Sequence, residues 1–161
     1  MSYNSQLKNK SRFILGLVFV VIFLFVDLLS KQIVLSHIPL WHYISINSFF
    51  GLTHVNNHGA SFSFLASDSG WQKYLFLLIG LSVLIFLLTL MLKNKNLSLT
   101  FAYSLIIAGD LGNNLNRIHY GYVIDFISFH FNNYYFPIFN FADSFITIGV
   151  ILIILKYIRK K

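Results

Sequence analysis

Four apolar runs alternate with more polar connections along the chain. The runs cover about residues 13–34, 71–92, 97–116 and 136–155. Each approaches the roughly 20 residues that a helix needs to cross a hydrocarbon core. The first run is too long for a cleaved signal peptide, and Asp27 and Lys31 interrupt it. The pattern predicts an all-α membrane protein, a four-transmembrane-helix bundle that forms one domain over 1–161.

The first long connection, about 35–70, has a pattern of its own and is expected to form a small cap. Residues 42–55 mix β-branched and aromatic side chains with polar ones in rough alternation, which favours a strand or hairpin. Residues 56–71 begin with a turn signal and continue with an apolar stripe. We expect this second part to form a short strand followed by an interfacial helix.

Basic residues flank the apolar runs in three short groups. They precede the first run, fill the link between the second and third, and follow the fourth: Lys8, Lys10, Arg12, Lys93, Lys95, Lys156, Arg159, Lys160 and Lys161. With four spans, all three groups fall on one side of the membrane, which the positive-inside rule makes the cytoplasm. Both termini are then expected to be cytoplasmic, and the two longer connections, about 35–70 and 117–135, to face outward.

Composition agrees with a membrane protein. Hydrophobic residues make up 57% of the chain and charged residues only 11%, and mean hydropathy is +0.70. Because the basic residues cluster beside apolar runs, the net charge of +7 indicates contact with anionic membrane lipid rather than nucleic acid. The absence of cysteine excludes disulfides and thiolate metal sites.

The acidic residues are few, and most stand in apolar surroundings. There is no glutamate, and among the five aspartates only Asp68 lies in a plainly polar segment. Given the expected orientation, several polar residues fall at one level, near the outer leaflet: Asp27, Asn113, Arg117, Asp125 and Asp143. Nothing comparable occurs on the cytoplasmic side. Because polar groups at membrane depth are tolerated only against protein or a water-filled cavity, this convergence predicts a functional site.

Within that level, two sets of polar residues have helical spacing. Asp27 and Lys31 are four residues apart with the acid first, so we interpret them as a structural ion pair. Asp110, Asn113 or Asn114, and Arg117 recur on one face of the third span. That helix is therefore expected to turn a polar face towards the protein interior.

The chemistry of the site follows from which residue types are present. The six histidines form no helical ligand pair, so no metal or other cofactor is expected, and no G-x-S-x-G motif is present for a serine mechanism. Two carboxyl groups held close together share a proton, so that one activates water while the other protonates the leaving group. Asp125 and Asp143 are the candidates for such a pair, which would hydrolyse a peptide bond.

Two other functions stay open at this point. Intramembrane carboxylates often mark ion routes, so a proton-coupled small membrane transporter is the main alternative. However, the predicted spans carry no acid in their cytoplasmic halves and leave no evident path across the membrane. A non-enzymatic assembly factor, in which the polar face binds a partner helix, is the second alternative.

Five segments, in order, resemble motifs of the lipoprotein signal peptidases (signal peptidase II). They are DLLSK (27–31), NNHGASFSFL (56–65), AGDLGNNLNR (108–117), GYVIDF (121–126) and FNFAD (139–143). The resemblance covers most of the chain. It places Asp125 and Asp143 at the family's catalytic aspartates and Asn57 at its conserved asparagine. It also implies that Asn57, Asn113, Arg117 and Asn140 bind and position the substrate.

The resemblance further implies an aspartic endopeptidase of the bacterial inner membrane that needs no cofactor. Its substrate would be a prolipoprotein whose cysteine already carries diacylglycerol, cut on the N-terminal side of that cysteine near the periplasmic leaflet. The outer strands would form a cradle over the substrate, and the protein would act as a monomer.

Two positions depart from the family pattern. Asn116 stands where the family usually has aspartate before the arginine, and Asp110 stands where the family has a small residue. We hypothesise that Asp110, about 10 Å of helix rise from Arg117, supplies the missing negative charge.

Overall fold

A computed structural model of the protein describes residues 3–59, 71–132 and 134–159. Its elements in chain order are α1 (Tyr3–His37), β1 (Tyr43–Ser45), β2 (Phe50–Asn57), α2 (Trp71–Lys93), α3 (Leu97–Tyr120), β3 (Val123–Phe131), β4 (Tyr134–Tyr135) and α4 (Phe141–Ile158). The structure is mostly helical with a small antiparallel sheet, as predicted. The expected interfacial helix falls largely on 60–70, outside the described residues.

Local signals fix where the later helices begin and end. Asn96 caps α3, since its side chain accepts hydrogen bonds from the Ser98 and Leu99 N–H groups. Gly121 ends the same helix in the left-handed region at φ 87°, which glycine adopts without steric cost. Asn140 caps α4, so that helix begins at Phe141 rather than near residue 136 as predicted.

Three described helices are long and apolar enough to cross a membrane: Asn9–His37, Trp71–Lys93 and Phe141–Ile158. The third predicted span, 97–116, coincides with α3, which is about 36 Å long at 1.5 Å per residue but does not reach the same apolarity. The reason is its position, because α3 packs against all three other helices and buries much of its surface in protein. The count of four spans stays a prediction.

The sheet has the strand order β1-β2-β3-β4, with every pair antiparallel. The segment 42–55, for which a strand or a hairpin was predicted, forms a hairpin of β1 and the first part of β2, with Tyr43 opposite Thr53. β3 was not predicted, and Asp125, expected in a loop, lies on it opposite Val55. Because the first six residues of β3 are all buried, that strand lacks the alternation that reveals a half-exposed strand.

Buried apolar residues form two clusters. We call the end of the bundle where 94–96 join α2 to α3 the link end, and the opposite end the sheet end. The link-end cluster contains Val20, Leu87, Met91, Leu99, Tyr103, Ile106, Ile107 and Ala108. The sheet-end cluster contains Val34, Ile38, Ile124, Phe126 and Ile127. Buried polar side chains of α1, α3, β3 and the start of α4 lie beside the second cluster.

Candidate active site

Asp125 and Asp143 meet at a single asparagine. Asp125 is the third residue of β3, and Asp143 lies in the first turn of α4. The Asn140 side chain donates from Nδ2 to Asp125 Oδ1 at 2.6 Å and accepts at Oδ1 from the Asp143 N–H at 3.0 Å. The fold therefore brings together the two acids that the sequence selected, although they are 18 positions apart in the chain.

The start of α4 explains why Asp143 is held there. Asn140 is the N-cap and Asp143 is the third helical residue, and together they form a capping box. In this arrangement Asp143 Oδ2 accepts from the Asn140 N–H at 3.2 Å. The carboxyl group thus occupies the helix N-terminus, where unpaired N–H groups and the helix dipole favour negative charge.

A second set of contacts holds Asp125 from the β2 side. Asn57, the last residue of β2, donates from Nδ2 to Asp125 Oδ2 at 2.8 Å. The Asn57 Oδ1 atom accepts from the Gly59 N–H at 2.9 Å, and the Gly59 carbonyl accepts from Arg117 Nη2 at 2.9 Å. The Arg117 guanidinium also lies 4.9 Å from the centre of the Phe76 ring on α2. Arg117 therefore supports the chain around Asn57.

Asn113 joins this group to the ion pair of α1. Its Nδ2 donates to Asp143 Oδ1 at 2.9 Å, and its Oδ1 accepts from Lys31 Nζ at 2.9 Å. Lys31 Nζ also contacts Asp27 Oδ2 at 2.8 Å, and both side chains are almost completely buried, at 1% and 0% exposed. The predicted pair thus forms, and it lies directly behind the two catalytic candidates.

The Asp27 side chain has a further role that the sequence did not reveal. Its Oδ1 accepts from the Ala142 N–H at 2.9 Å, so a residue of α1 satisfies an unpaired donor in the first turn of α4. Gly112 on α3 leaves the space for this carboxylate, because a Cβ atom at that position would overlap Asp27 Oδ2. The four-residue spacing of Asp27 and Lys31 predicts neither contact.

The two departures from the family pattern lie on different sides of α3. Asp110 faces α2, where its Oδ1 accepts from Asn114 Nδ2 at 2.9 Å and both side chains pack on Gly80. In the described ranges it has no direct contact with Arg117. Asn116 faces the sheet instead, and its Oδ1 accepts from the Ile124 N–H at 3.3 Å. The Asp110 charge therefore acts on Arg117 only at a distance, and the hypothesis that it supplies the missing negative charge stays a prediction.

Burial and the neighbouring acid set the proton affinity of Asp125. Desolvation by burial and then the Asp143 charge raise the pKa of the Asp125 carboxyl group to about 7, against hydrogen bonds from Asn57 and Asn140 that favour the ionised form. At neutral pH this carboxyl group is therefore poised to hold a proton. Within the described part of the chain, no group of three or more metal-ligating side chains is present.

Comparisons with known proteins show the family of this chain. A family model described as signal peptidase (SPase) II matches residues 19–159. A lipoprotein signal peptidase of Yersinia enterocolitica is 48% identical over 138 residues, which is 84% of this chain and 82% of the relative. The corresponding protein of Shewanella pealeana is 46% identical over 138 residues, covering 84% of this chain and 81% of the relative.

Solved structures extend the likeness to the fold. A bacterial membrane enzyme determined by the in meso method at 2.3 Å resolution superposes with a TM-score of 0.81 at 33% identity. The match covers 89% of this chain and 87% of that one. Since the family model spans most of the chain and the relatives match over most of their length, this chain belongs to the signal peptidase II family.

Proposed function

We propose that this chain removes signal peptides from prolipoproteins as an aspartic endopeptidase, with Asp125 and Asp143 as its catalytic residues. Its family membership supports the enzymatic class and the substrate. The observation that carries the residue assignment is the Asn140 side chain, which contacts the Asp125 carboxyl group and the Asp143 backbone at once. A shared asparagine holds the two acids in the fixed relation that a proton-sharing pair needs.

The reaction uses the two carboxyl groups in opposite protonation states. Asp143, at the N-terminus of α4, takes a proton from a water molecule while the water oxygen attacks the carbonyl carbon of the scissile bond. Asp125, protonated, donates to the carbonyl oxygen. When the tetrahedral intermediate collapses, the C–N bond breaks and the leaving nitrogen takes the proton held by Asp143. At the same time a hydroxyl group of the intermediate returns a proton to Asp125 and the C=O bond re-forms, which gives the carboxyl product.

The surrounding amides and the arginine have supporting roles in this proposal. Asn57, Asn113 and Asn140 each donate a hydrogen bond to one of the two acids, which fixes the orientation of the carboxyl groups before substrate arrives. Arg117 holds the Gly59 carbonyl and so positions the end of β2. A substrate strand would lie under this part of the sheet. Asp27 and Lys31 join α1 to α3 and to the start of α4.

The membrane setting completes the proposal. The chain is an inner-membrane protein with both termini in the cytoplasm, and the sheet end lies at the periplasmic leaflet. Three basic groups at the link end and the termini support this orientation. A site at that leaflet reaches a cysteine anchored there by diacylglycerol, so cleavage occurs on the N-terminal side of the modified cysteine. The protein acts as a monomer in contact with membrane lipid and without a cofactor.

One assay tests the catalytic assignment. Purified protein is mixed with a prolipoprotein peptide bearing diacylglyceryl cysteine, and cleavage is followed by mass spectrometry. Asp125→Asn and Asp143→Asn are each expected to lower kcat by more than about a thousandfold, because neither amide accepts or donates the required proton. Both variants should retain the wild-type melting temperature to within a few degrees.

Asp110→Asn is the matched control, since Asp110 is another partly buried acid but contacts Asn114 rather than the site. It is expected to cleave at the wild-type rate. Cleavage by either Asp125→Asn or Asp143→Asn at more than a tenth of the wild-type rate would disprove the pair. The transporter alternative has no support, because the four described aspartates all lie in the half of the bundle nearer the sheet.

A further inference from the structure

Two asparagines one helical turn apart on α3 reach the two elements that carry the catalytic acids. Asn113 donates directly to Asp143 on α4. Asn116 accepts from the N–H of Ile124, the residue that precedes Asp125 on β3. Both asparagines are buried, at 7% and 4% exposed. One rigid helix therefore contacts both halves of the site, one directly and one through a single backbone group.

The Ile124 backbone is contacted from two sides. Its side chain is completely buried, and its carbonyl lies 3.4 Å from Asn140 Nδ2, the same atom that donates to Asp125. The N–H and the carbonyl of Ile124 are thus held by Asn116 on one side and by Asn140 on the other. A shift of Ile124 would move the Asp125 backbone, because the two residues share a peptide bond.

We propose, on the basis of the function above, that Asn116 is a positioning residue that sets the location of Asp125 relative to Asp143 through the Ile124 N–H. The role needs a hydrogen-bond acceptor and no charge. This accounts for an asparagine where the family usually has an aspartate, because both side chains present an acceptor oxygen at the same distance from the helix. A negative charge at position 116 is dispensable, because Arg117 binds the Gly59 carbonyl and not the side chain of residue 116.

Asn116→Leu removes the acceptor and should fold, because a groove of about 290 Å³ between α1 and α3 adjoins the side chain and leaves room for leucine. With the Ile124 N–H released, we expect kcat to fall by about ten- to hundredfold as the Asp125 carboxyl group moves out of line. KM should stay within about twofold of wild type, since in the described ranges the Asn116 side chain hydrogen-bonds to none of the predicted substrate-binding side chains.

Asn116→Asp restores the acceptor and adds a negative charge. Its kcat at optimal pH should lie within about threefold of wild type. The added charge should also move the alkaline limb of the pH–rate profile up by about one pH unit, because a nearby anion disfavours ionisation of Asp125. Among the described residues, the other charged groups near Asp125 are Asp143 on α4, Lys31 on α1 and Arg117 on α3, and they are the same in every variant.

Cleavage by the wild-type protein tests the proposed function independently of the role of Asn116. If the wild type fails to cleave, the proposed function fails. If the wild type cleaves, an unchanged kcat in Asn116→Leu overturns the positioning role. So does an Asn116→Asp variant that is impaired tenfold or more, or whose alkaline limb does not move. Were Asn116→Leu to misfold, the two readouts of Asn116→Asp would still decide.

Discussion

The two ends of the helix bundle are stabilised in different ways. At the link end, shape complementarity predominates: Met91 is 1% exposed and lies against Gly16 of α1 and Ser104 of α3. At the sheet end, the same helices are joined by buried polar groups, including the Asp27–Lys31 pair at 0% and 1% exposed. One bundle thus combines ordinary apolar packing at the link end with polar groups at the sheet end that are costly to bury.

The difference indicates which end is under functional constraint. Burying an ion pair gains little over apolar packing of similar volume, so a fold built for stability alone would extend the link-end pattern along its whole length. Here the buried pair contacts Asn113 and the Ala142 N–H, and through them the elements carrying Asp143. We infer that the polar groups of the sheet end are retained because they orient the acids.

Breaking the buried pair should give the largest stability effect. Lys31→Met leaves the Asp27 carboxylate buried without its cation, which is expected to cost about 3–5 kcal/mol of unfolding free energy and to reduce cleavage strongly. The double variant Asp27→Asn, Lys31→Met keeps an acceptor for the Ala142 N–H and removes the unpaired charge. It should recover most of the stability in thermal unfolding. Equal destabilisation of the single and double variants would contradict this account.

A substitution in the core of the link end should lower stability without lowering activity. Met91→Ala removes most of a fully buried side chain and is expected to lower the unfolding free energy by about 2–4 kcal/mol. Its kcat, measured well below the melting temperature, should equal that of wild type. Leu92→Ala is the matched control, because Leu92 is 55% exposed and faces away from the bundle. A large loss of kcat in folded Met91→Ala protein would show that the two ends are not independent.

Substitutions at the sheet end should change the pH dependence of cleavage, and substitutions at the link end should not. Asp125 acts in its protonated form, and its pKa in the free protein is raised to about 7 by burial and by Asp143, so kcat/KM should fall about tenfold for each pH unit above that value. Asn57→Leu removes a donor that favours the ionised form, so its alkaline limb should lie at higher pH. Met91→Ala should keep the wild-type profile. A rate that is constant up to pH 9 in folded wild-type protein would refute this assignment.

Much of the fold could be predicted because the interactions that create it are local. Long apolar runs, cap residues such as Asn96 and the alternation within 42–55 depend on neighbours in the chain, and α2, α3 and the β1–β2 hairpin lie where expected, whereas α1 begins at Tyr3, before the predicted run at 13–34. The start of α4 was misplaced by five residues. Pro137 and the pairing of Phe139 with Ile127 keep 136–140 extended, and that pairing depends on a strand that the sequence pattern did not reveal.

The same distinction between local and long-range interactions applies to the candidate site. The sequence selected the acids and amides, and its helical spacing correctly paired Asp27 with Lys31. Only the tertiary structure decided that Asn140 lies between Asp125 and Asp143, that Asp27 reaches α4, and that Asp110 packs against α2 while Asn116 contacts β3. The physical reason is that residue type and spacing determine which groups are costly to bury, whereas the partner that offsets the cost comes from a distant segment and is fixed only when the helices pack.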